Sequence, residues 1–443
     1  MNTNDNSAEE LERLGLEMHS WAKELFPICR SLTGDGVRQT LRFLKAIIPA
    51  MEIHEIPSGT KAFDWKIPQE WSIREAWIEF EDGTRIADFA DSNLHVLGYS
   101  VAVDREISLD ELQAHLYSLP EQPDWIPYVC SFYSPRWGFC LRHSTRMQLK
   151  EGRYRVKIDS THHDGSMSFG ELVLPGRTSE EIFVSTYICH PSMANNELSG
   201  PVVATALARF IQALPDRRYT YRFVWAPETI GAIAYISRNL GVLTERVVAA
   251  FNLTCVGDDR IYSFLPSRLG NTLADRVGRH VLGGIAEGFK EYDFLDRGSD
   301  ERQYCSPGVD LPMVSLMRSK YGCYPEYHTS ADDLQNVVTP TGLAGGFKIH
   351  QECIQILESN EPLWATHLCE AQLGKHGLYP TISTGQIGER VFLLSNILAY
   401  ADGRDLLSIA ERIGAPALAC LEVVRDLLGA GVLSHSPPRH SNG

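Results

Sequence analysis

Apolar residues at Leu11, Leu14, Met18, Trp21, Leu25 and Phe26 recur at the spacing of one helix face. The turn Ser31-Leu32-Thr33-Gly34 separates them from a second helical pattern over 34–49. From about Phe63 the texture changes to short alternating segments, 76–80, 95–103 and 154–158, broken by turns such as Asp82-Gly83, which predicts a β-rich stretch. From Glu180 apolar runs alternate with helical patterns. Strands are expected at 182–187, 221–225, 247–253 and 313–317, and helices at 199–211, 230–240 and 271–282. Strand, helix, strand in repetition predicts a parallel α/β sheet. Past Ala371 three short helices are expected at 385–400, 406–413 and 417–428, with 429–433 starting a wing.

This pattern divides the chain. Residues 1–60 and 160–375 form one discontinuous α/β domain, 61–159 an inserted β-rich domain, 376–435 a winged-helix-like module and 436–443 a disordered tail. A chain of 443 residues is too long for one comfortable core, which agrees.

Composition narrows the class. Hydrophobic residues make up 44% and charged residues 22%, and no apolar run approaches the roughly 18 residues of a membrane span. The polar, acidic first residues and ten singly scattered cysteines predict a cytoplasmic protein with reduced thiols. A net charge of −15 disfavours nucleic acid as a partner and favours a small molecule or peptide. The last helix carries Glu422, Arg425 and Asp426, a mixed surface that suits docking or a homodimer better than a DNA groove.

Four loops follow expected strands, where open α/β sheets place their ligands. The first, Cys189 to Gly200, offers His190, Asn196 and Glu197; a histidine there can bind a metal or serve as a structural hydrogen-bonding residue. The second holds Glu228, a general base, a ligand or a residue favouring a helix N-terminus. In the third, Asp300, Glu301 and Arg302 could bind the charged ends of a substrate or form an exposed ion-pair cluster. The fourth places His328 near Asp332, a candidate carboxylate partner for its second ring nitrogen.

His190, Ser199-Gly200, Glu228, Ser299-Asp300 and the run His328-Thr329-Ser330-Ala331-Asp332 resemble, in order, the site loops of the zinc aminopeptidase and glutaminyl cyclase clan, over 180–358. The whole chain resembles a family of bacterial aminopeptidase-like proteins that add an inserted β domain and a C-terminal winged helix, often in polysaccharide or secondary-metabolite settings. The strings that carry this are Arg30-Ser31-Leu32-Thr33-Gly34, Phe63-Asp64-Trp65, Arg136-Trp137-Gly138-Phe139-Cys140, Cys189-His190-Pro191-Ser192, residues 297–307, residues 324–330 and Gly377-Leu378-Tyr379-Pro380. The resemblance implies a zinc-exopeptidase-like doubly wound sheet and a zinc-dependent hydrolase.

The same alignment of motifs shows departures. Asn196 stands where the clan has the aspartate that bridges two zinc ions, Thr254 stands at another ligand aspartate, and Glu301 replaces a histidine. An amide is a poor ligand for a dication, so two full zinc sites are not expected. One site from His190, Glu228 and His328 is. Glu228 would act as base or ligand, Asp300, Glu301, Arg302 and Asn196 would meet the substrate, and Tyr327 would stabilise an oxyanion. Removal of an N-terminal amino acid or acyl group is the first expected reaction. Acyl transfer or cyclisation at one metal, or metal-free binding, are the alternatives.

Overall fold

A computed structural model describes residues 3–378 and 388–438. They divide into two compact units, residues 1–275 with 290–348 and residues 276–289 with 349–443.

The first unit is built on an eight-stranded mixed sheet. Four parallel strands lie at its centre in the order Thr220–Ala226, Glu181–Tyr187, Val247–Asn252 and Met313–Met317. The strands 181–187, 220–226 and 313–317 are buried along their whole length, as strands covered on both faces must be. This is why the apolar runs of the sequence locate them. Antiparallel strands extend the sheet on either side: Ser166–Leu174 and then Glu52–Pro57 on one, Tyr262–Leu265 on the other. The chain leaves strand 181–187 towards 220–226, then returns to its other side at 247–252. The carboxyl ends of strands 181–187 and 247–252 therefore flank the point where connections diverge, the usual place for a ligand crevice.

The inserted sheet has the order Arg85–Asp88, Glu70–Phe80, Arg153–His163 and Val103–Ser108. Its two long strands pair from Glu70 with His163 to Phe80 with Tyr154, around a core that includes Ile78, Leu112, Phe139, Tyr154 and Val156. The chain enters through Pro57 and leaves through Ser166, which face each other in one antiparallel ladder. The strand expected at 95–103 does not form. Asn93–His95 is a short 3-10 turn, Tyr99 has φ 66°, and regular pairing begins only at Val103. The backbone at Val96 and Gly98 instead makes single bridges to Phe139 and Cys130.

In the second unit, helices Glu389–Tyr400, Leu406–Ile413 and Ala417–Gly429 accompany a three-stranded sheet of Asp402–Asp405, Pro362–Ala365 and Leu433–Ser434. Asp405 caps the second helix by accepting from Ser408 N at 2.7 Å, and Gly414 ends it at φ 68°. The central strand, Pro362–Ala365, precedes residue 376, where the sequence reading starts the module. Residues 385–387 of the first expected helix, and residues 439–443 of the expected tail, lie outside the described residues.

Candidate active site

The four loops expected to carry chemistry meet at the carboxyl ends of the parallel strands. His190 follows strand 181–187. Its Nδ1 lies 3.0 Å from Glu197 Oε2, a carboxylate with no exposed surface. Glu197 is held in turn by Arg30, whose Nε donates to Glu197 Oε1 at 3.2 Å and to the carbonyl of His190 at 2.9 Å. Arg30 also donates to the carbonyls of Leu25 and Pro191, so the buried guanidinium is anchored on several sides. A carboxylate on Nδ1 fixes the ring and leaves Nε2 free for a ligand. That Nε2 sits 3.7 Å from Glu228 Oε2. Burial acts to lower the pKa of His190, but the Glu197 hydrogen bond and the charges of Glu197 and Glu228 outweigh it and the net direction is up.

Glu228 is aimed by a strained turn. Thr229 has φ 62° and ψ −75°, and Ile230 N donates across it to Glu228 O at 2.7 Å, a γ-turn of the rare positive-φ kind. A β-branched residue there is unfavourable and persists only when its surroundings enforce it. Asp300 does so, accepting from Thr229 N at 2.7 Å, and Arg302 adds a 2.8 Å bond to Thr229 Oγ1. Burial raises the pKa of Glu228, opposed by His190, Arg302 and a hydrogen bond from Ser299. Burial and the neighbouring Glu228 push Asp300 well above the carboxylate range.

His328 ends the fourth loop, at φ 58°. Tyr327 lies flat on it, with ring centroids 3.9 Å apart, and its Nε2 is buried without a hydrogen-bond partner. Burial and His190 lower its pKa to about 3. The His190 and His328 rings are 5.6 Å apart, and Tyr128 of the inserted domain sets its ring edge-on to both at 5.2 Å. Tyr128 N also donates to His328 O at 2.8 Å, and Ser330 exchanges bonds with Ile126.

Several expectations need correction. Asp332 is not the partner of His328: its oxygens accept from the backbone N–H groups of Asn195 and Asn196 at 2.7 and 2.9 Å and from the Tyr324 hydroxyl. It caps the π-helical turn Ala194–Leu198. Glu301 cannot meet a substrate. It is fully buried, its Oε1 accepting from Gly298 N, Ser299 N and Tyr321 and its Oε2 from Asn252, so it ties its own loop together. Asp300, buried and committed to Thr229, acts through the Glu228 turn rather than on a substrate. Arg302 remains exposed at the mouth. Arg30 and Tyr128 carried no chemical signal in the sequence beyond Arg30's place in a quoted string, since each reaches the site across long sequence separations.

Asn196 faces a different neighbourhood. Its Oδ1 accepts from the Tyr187 hydroxyl at 2.9 Å, and that hydroxyl lies 2.6 Å from Thr254 Oγ1. The positions that the resemblance assigns to ligand aspartates are thus joined by a neutral hydroxyl–amide chain. No carboxylate serves a second dication there.

For one divalent ion the donor chemistry fits. Ligand atoms around zinc at about 2.0–2.1 Å stand roughly 3.3 Å apart in a tetrahedron, and the His190–Glu228 pair at 3.7 Å is close to that. The orphaned Nε2 of His328 is the natural third donor, although it does not close a trio with them within 4.8 Å. Ligand atoms of Cys189, His190 and Glu197 do lie within 4.8 Å of one another. That trio is an orienting network: Arg30 sits on Glu197 and opposes a cation, and burial pushes the Cys189 thiol well above its usual range.

Comparison with known proteins agrees with this build. A Clostridium acetobutylicum protein, provisionally named a polysaccharide biosynthesis protein with an aminopeptidase-like domain, is 42% identical over 403 residues, 90% of this chain and 92% of its own. A crystal structure of a provisionally named peptidase from Clostridium acetobutylicum superposes with a TM-score of 0.91 at 39% identity, covering 97% of this chain and 98% of that one. The zinc aminopeptidase BSAP of Bacillus subtilis shares the fold at a TM-score of 0.56 and 11% identity, over 77% and 94% of the two chains. Residues 362–435 match the winged helix-turn-helix family HTH_47. Residues 19–360 match the family described as a domain of unknown function, DUF4910, and the chain belongs to that family, with an aminopeptidase-like fold followed by a winged helix.

Proposed function

We propose that this protein is a single-metal amide hydrolase, an aminopeptidase or deacylase acting on a small peptide or N-acyl metabolite. The observation that carries the reading is the pairing of His190 Nε2 with Glu228 Oε2 at 3.7 Å beneath a histidine whose other nitrogen is fixed by Glu197. A zinc ion held by His190 and His328, with Glu228 as its third ligand or as the base beside it, would supply Lewis acidity and an acidified water. The chain's own groups do the rest. Burial raises the proton affinity of Glu228, suiting its carboxylate to take a proton from water and return it to the leaving amine. Arg302, at the mouth, orients a substrate carboxylate. The name of the Clostridium acetobutylicum relative supports a biosynthetic substrate rather than dietary protein.

The test is Glu228→Gln, assayed on aminoacyl and N-acyl amides with elemental analysis alongside. The expected result is about one zinc per chain, lost in His190→Ala and His328→Ala. Turnover in Glu228→Gln should fall about 10²–10⁴-fold with the fold intact. Retained zinc in that variant makes Glu228 the base, and lost zinc makes it a ligand. A protein that takes up no metal when zinc is supplied sinks the reading.

For the C-terminal module we propose docking or dimerisation. The exposed face of Ala417–Gly429 mixes Glu422 with Arg425 and Asp426. Winged helix-turn-helix folds do enter DNA grooves. A mobility shift on random duplex DNA at low salt would overturn the expectation, drawn from net charge, that nucleic acid is no partner.

A further inference from the structure

Three polar side-chain atoms in this site are buried without a hydrogen-bond partner among the described residues: His328 Nε2, assigned above to the metal, Asn252 Oδ1, beside Glu301, and Asn196 Nδ2. Asn196 is 1% exposed, so solvent does not satisfy it. Its backbone is fixed, because its N–H is bound by Asp332 at 2.9 Å. Its side-chain oxygen is engaged as well: the Tyr187 hydroxyl donates to Asn196 Oδ1 at 2.9 Å, and the Thr254 hydroxyl lies 2.6 Å from the Tyr187 oxygen. With the amide oxygen taken, the two N–H groups of Nδ2 point away from Tyr187 and meet no protein acceptor among the described residues.

A buried donor left unmade is destabilising, and in a crevice beside candidate catalytic groups a ligand is one partner that can complete it. The location is informative. Asn196 and Thr254 stand at the ends of adjacent elements flanking the divergence of the sheet, at positions that the resemblance assigns to carboxylate ligands of a second dication. A cation there would accept electron density from a substrate oxygen. An N–H pair does the same by donating a hydrogen bond, with no metal needed.

We infer that Asn196 Nδ2, aimed by the Tyr187–Thr254 hydroxyl pair, is the hydrogen-bond donor to the carbonyl oxygen of the substrate's amide or acyl group. The inference rests on the amide-hydrolase reading and specifies how that site handles the oxygen that gains negative charge. In place of a second metal, this site would hold a fixed dipole.

The experiment compares the full-length wild type with Asn196→Ala and Asn196→Asp, measuring zinc per chain after loading, thermal midpoint, and kcat/KM on the amide that the Glu228 screen identifies. Asn196→Ala should keep about one zinc per chain and lose about 10²–10³-fold in kcat/KM, mostly in kcat. Asn196→Asp should lose at least as much, because its carboxylate repels the carbonyl oxygen. Zinc lost from Asn196→Ala would instead make the residue a metal ligand through Oδ1 and overturn the inference. So would Asn196→Asp matching or exceeding wild type while taking up a second zinc. Unchanged kcat/KM in Asn196→Ala would reduce the amide to filler. If wild type cleaves no amide, the hydrolase reading itself has failed and this inference falls with it; if wild type cleaves and Asn196→Ala cleaves equally, only the inference fails.

Discussion

The two halves of the site are built on opposite electrostatic plans. On the His190 side a buried guanidinium, a buried carboxylate and an imidazole are linked in series by hydrogen bonds at 3.2 and 3.0 Å, and every charge has its counterpart. On the Asn196 side a phenol, a threonine hydroxyl and an amide are linked at 2.6 and 2.9 Å, without a formal charge and with a donor left over. A site for two dications needs anionic ligands on both sides. Here one half is a charged network whose donors fit one metal and the other is a neutral network. The difference teaches that one crevice can satisfy its buried polar groups in two ways, by ion pairing around Glu197 on one side and by the Tyr187 hydroxyl bridging Asn196 and Thr254 on the other.

Breaking the charged half should have the largest effect. Arg30→Ala leaves Glu197 buried and unpaired, an expected loss of about 3–5 kcal/mol in denaturant unfolding. The variant that still folds should bind zinc about 10–100-fold more weakly, because His190 loses an anionic anchor. A loss below 1 kcal/mol would mean the charges are not desolvated together.

The pH dependence of the metal-free protein probes the same half. Burial lowers the folded pKa of His328 to about 3 from an ordinary 6.5, so between these values the unfolded chain binds more protons than the folded one. Stability is therefore complete above the unfolded value and drops as pH falls through that window. The contribution of His328 to unfolding free energy should decline by about 3 kcal/mol from pH 7 to pH 4. Comparison of wild type with His328→Gln by denaturant melts at both pH values isolates it; parallel pH profiles would refute the assignment.

The neutral half should be less costly to break. Tyr187→Phe removes one hydroxyl and leaves the Asn196 oxygen and the Thr254 hydroxyl without their shared partner, for about 1–2 kcal/mol. A loss as large as that of Arg30→Ala would erase the contrast between the halves. The smallest effect is expected at the turn between them. Thr229→Gly relieves a positive φ, and after the added freedom of the unfolded chain is offset it should raise stability by about 1 kcal/mol. Turnover should fall because Glu228 is no longer aimed, and a variant both less stable and fully active would show that the turn stores no strain.

The sequence made the sheet centre and the metal half readable for physical reasons. Strands 181–187 and 313–317 are buried on both faces and so are mostly apolar, and His190 and Glu228 stand out as polar residues shortly beyond such runs, with His328 at the end of a longer loop. The strand Glu52–Pro57 was hidden by its partly exposed, charged residues at a sheet edge. The expected strand at 95–103 failed because alternation persists in a segment whose backbone turns at Tyr99. Long-range partners left no local trace: Arg30 lies 160 residues from the His190 carbonyl it binds. Asp332 and Glu301 were misassigned because nearness in sequence to a histidine or an arginine does not reveal which backbone amides a buried carboxylate will serve.

The sheet of residues 70–163 is fastened to the rest of its unit twice. Its stem is the ladder in which Pro57 faces Ser166, and its tip returns to bond His328 O through Tyr128 N and to exchange bonds between Ile126 and Ser330. A module attached only by its stem could be exchanged among relatives as an independent cassette. This one cannot: residues 126–128 and 328–330 must be inherited as a matched pair, and a chimera that transplants the insert without its recipient loop would carry an intact β domain beside a misplaced histidine.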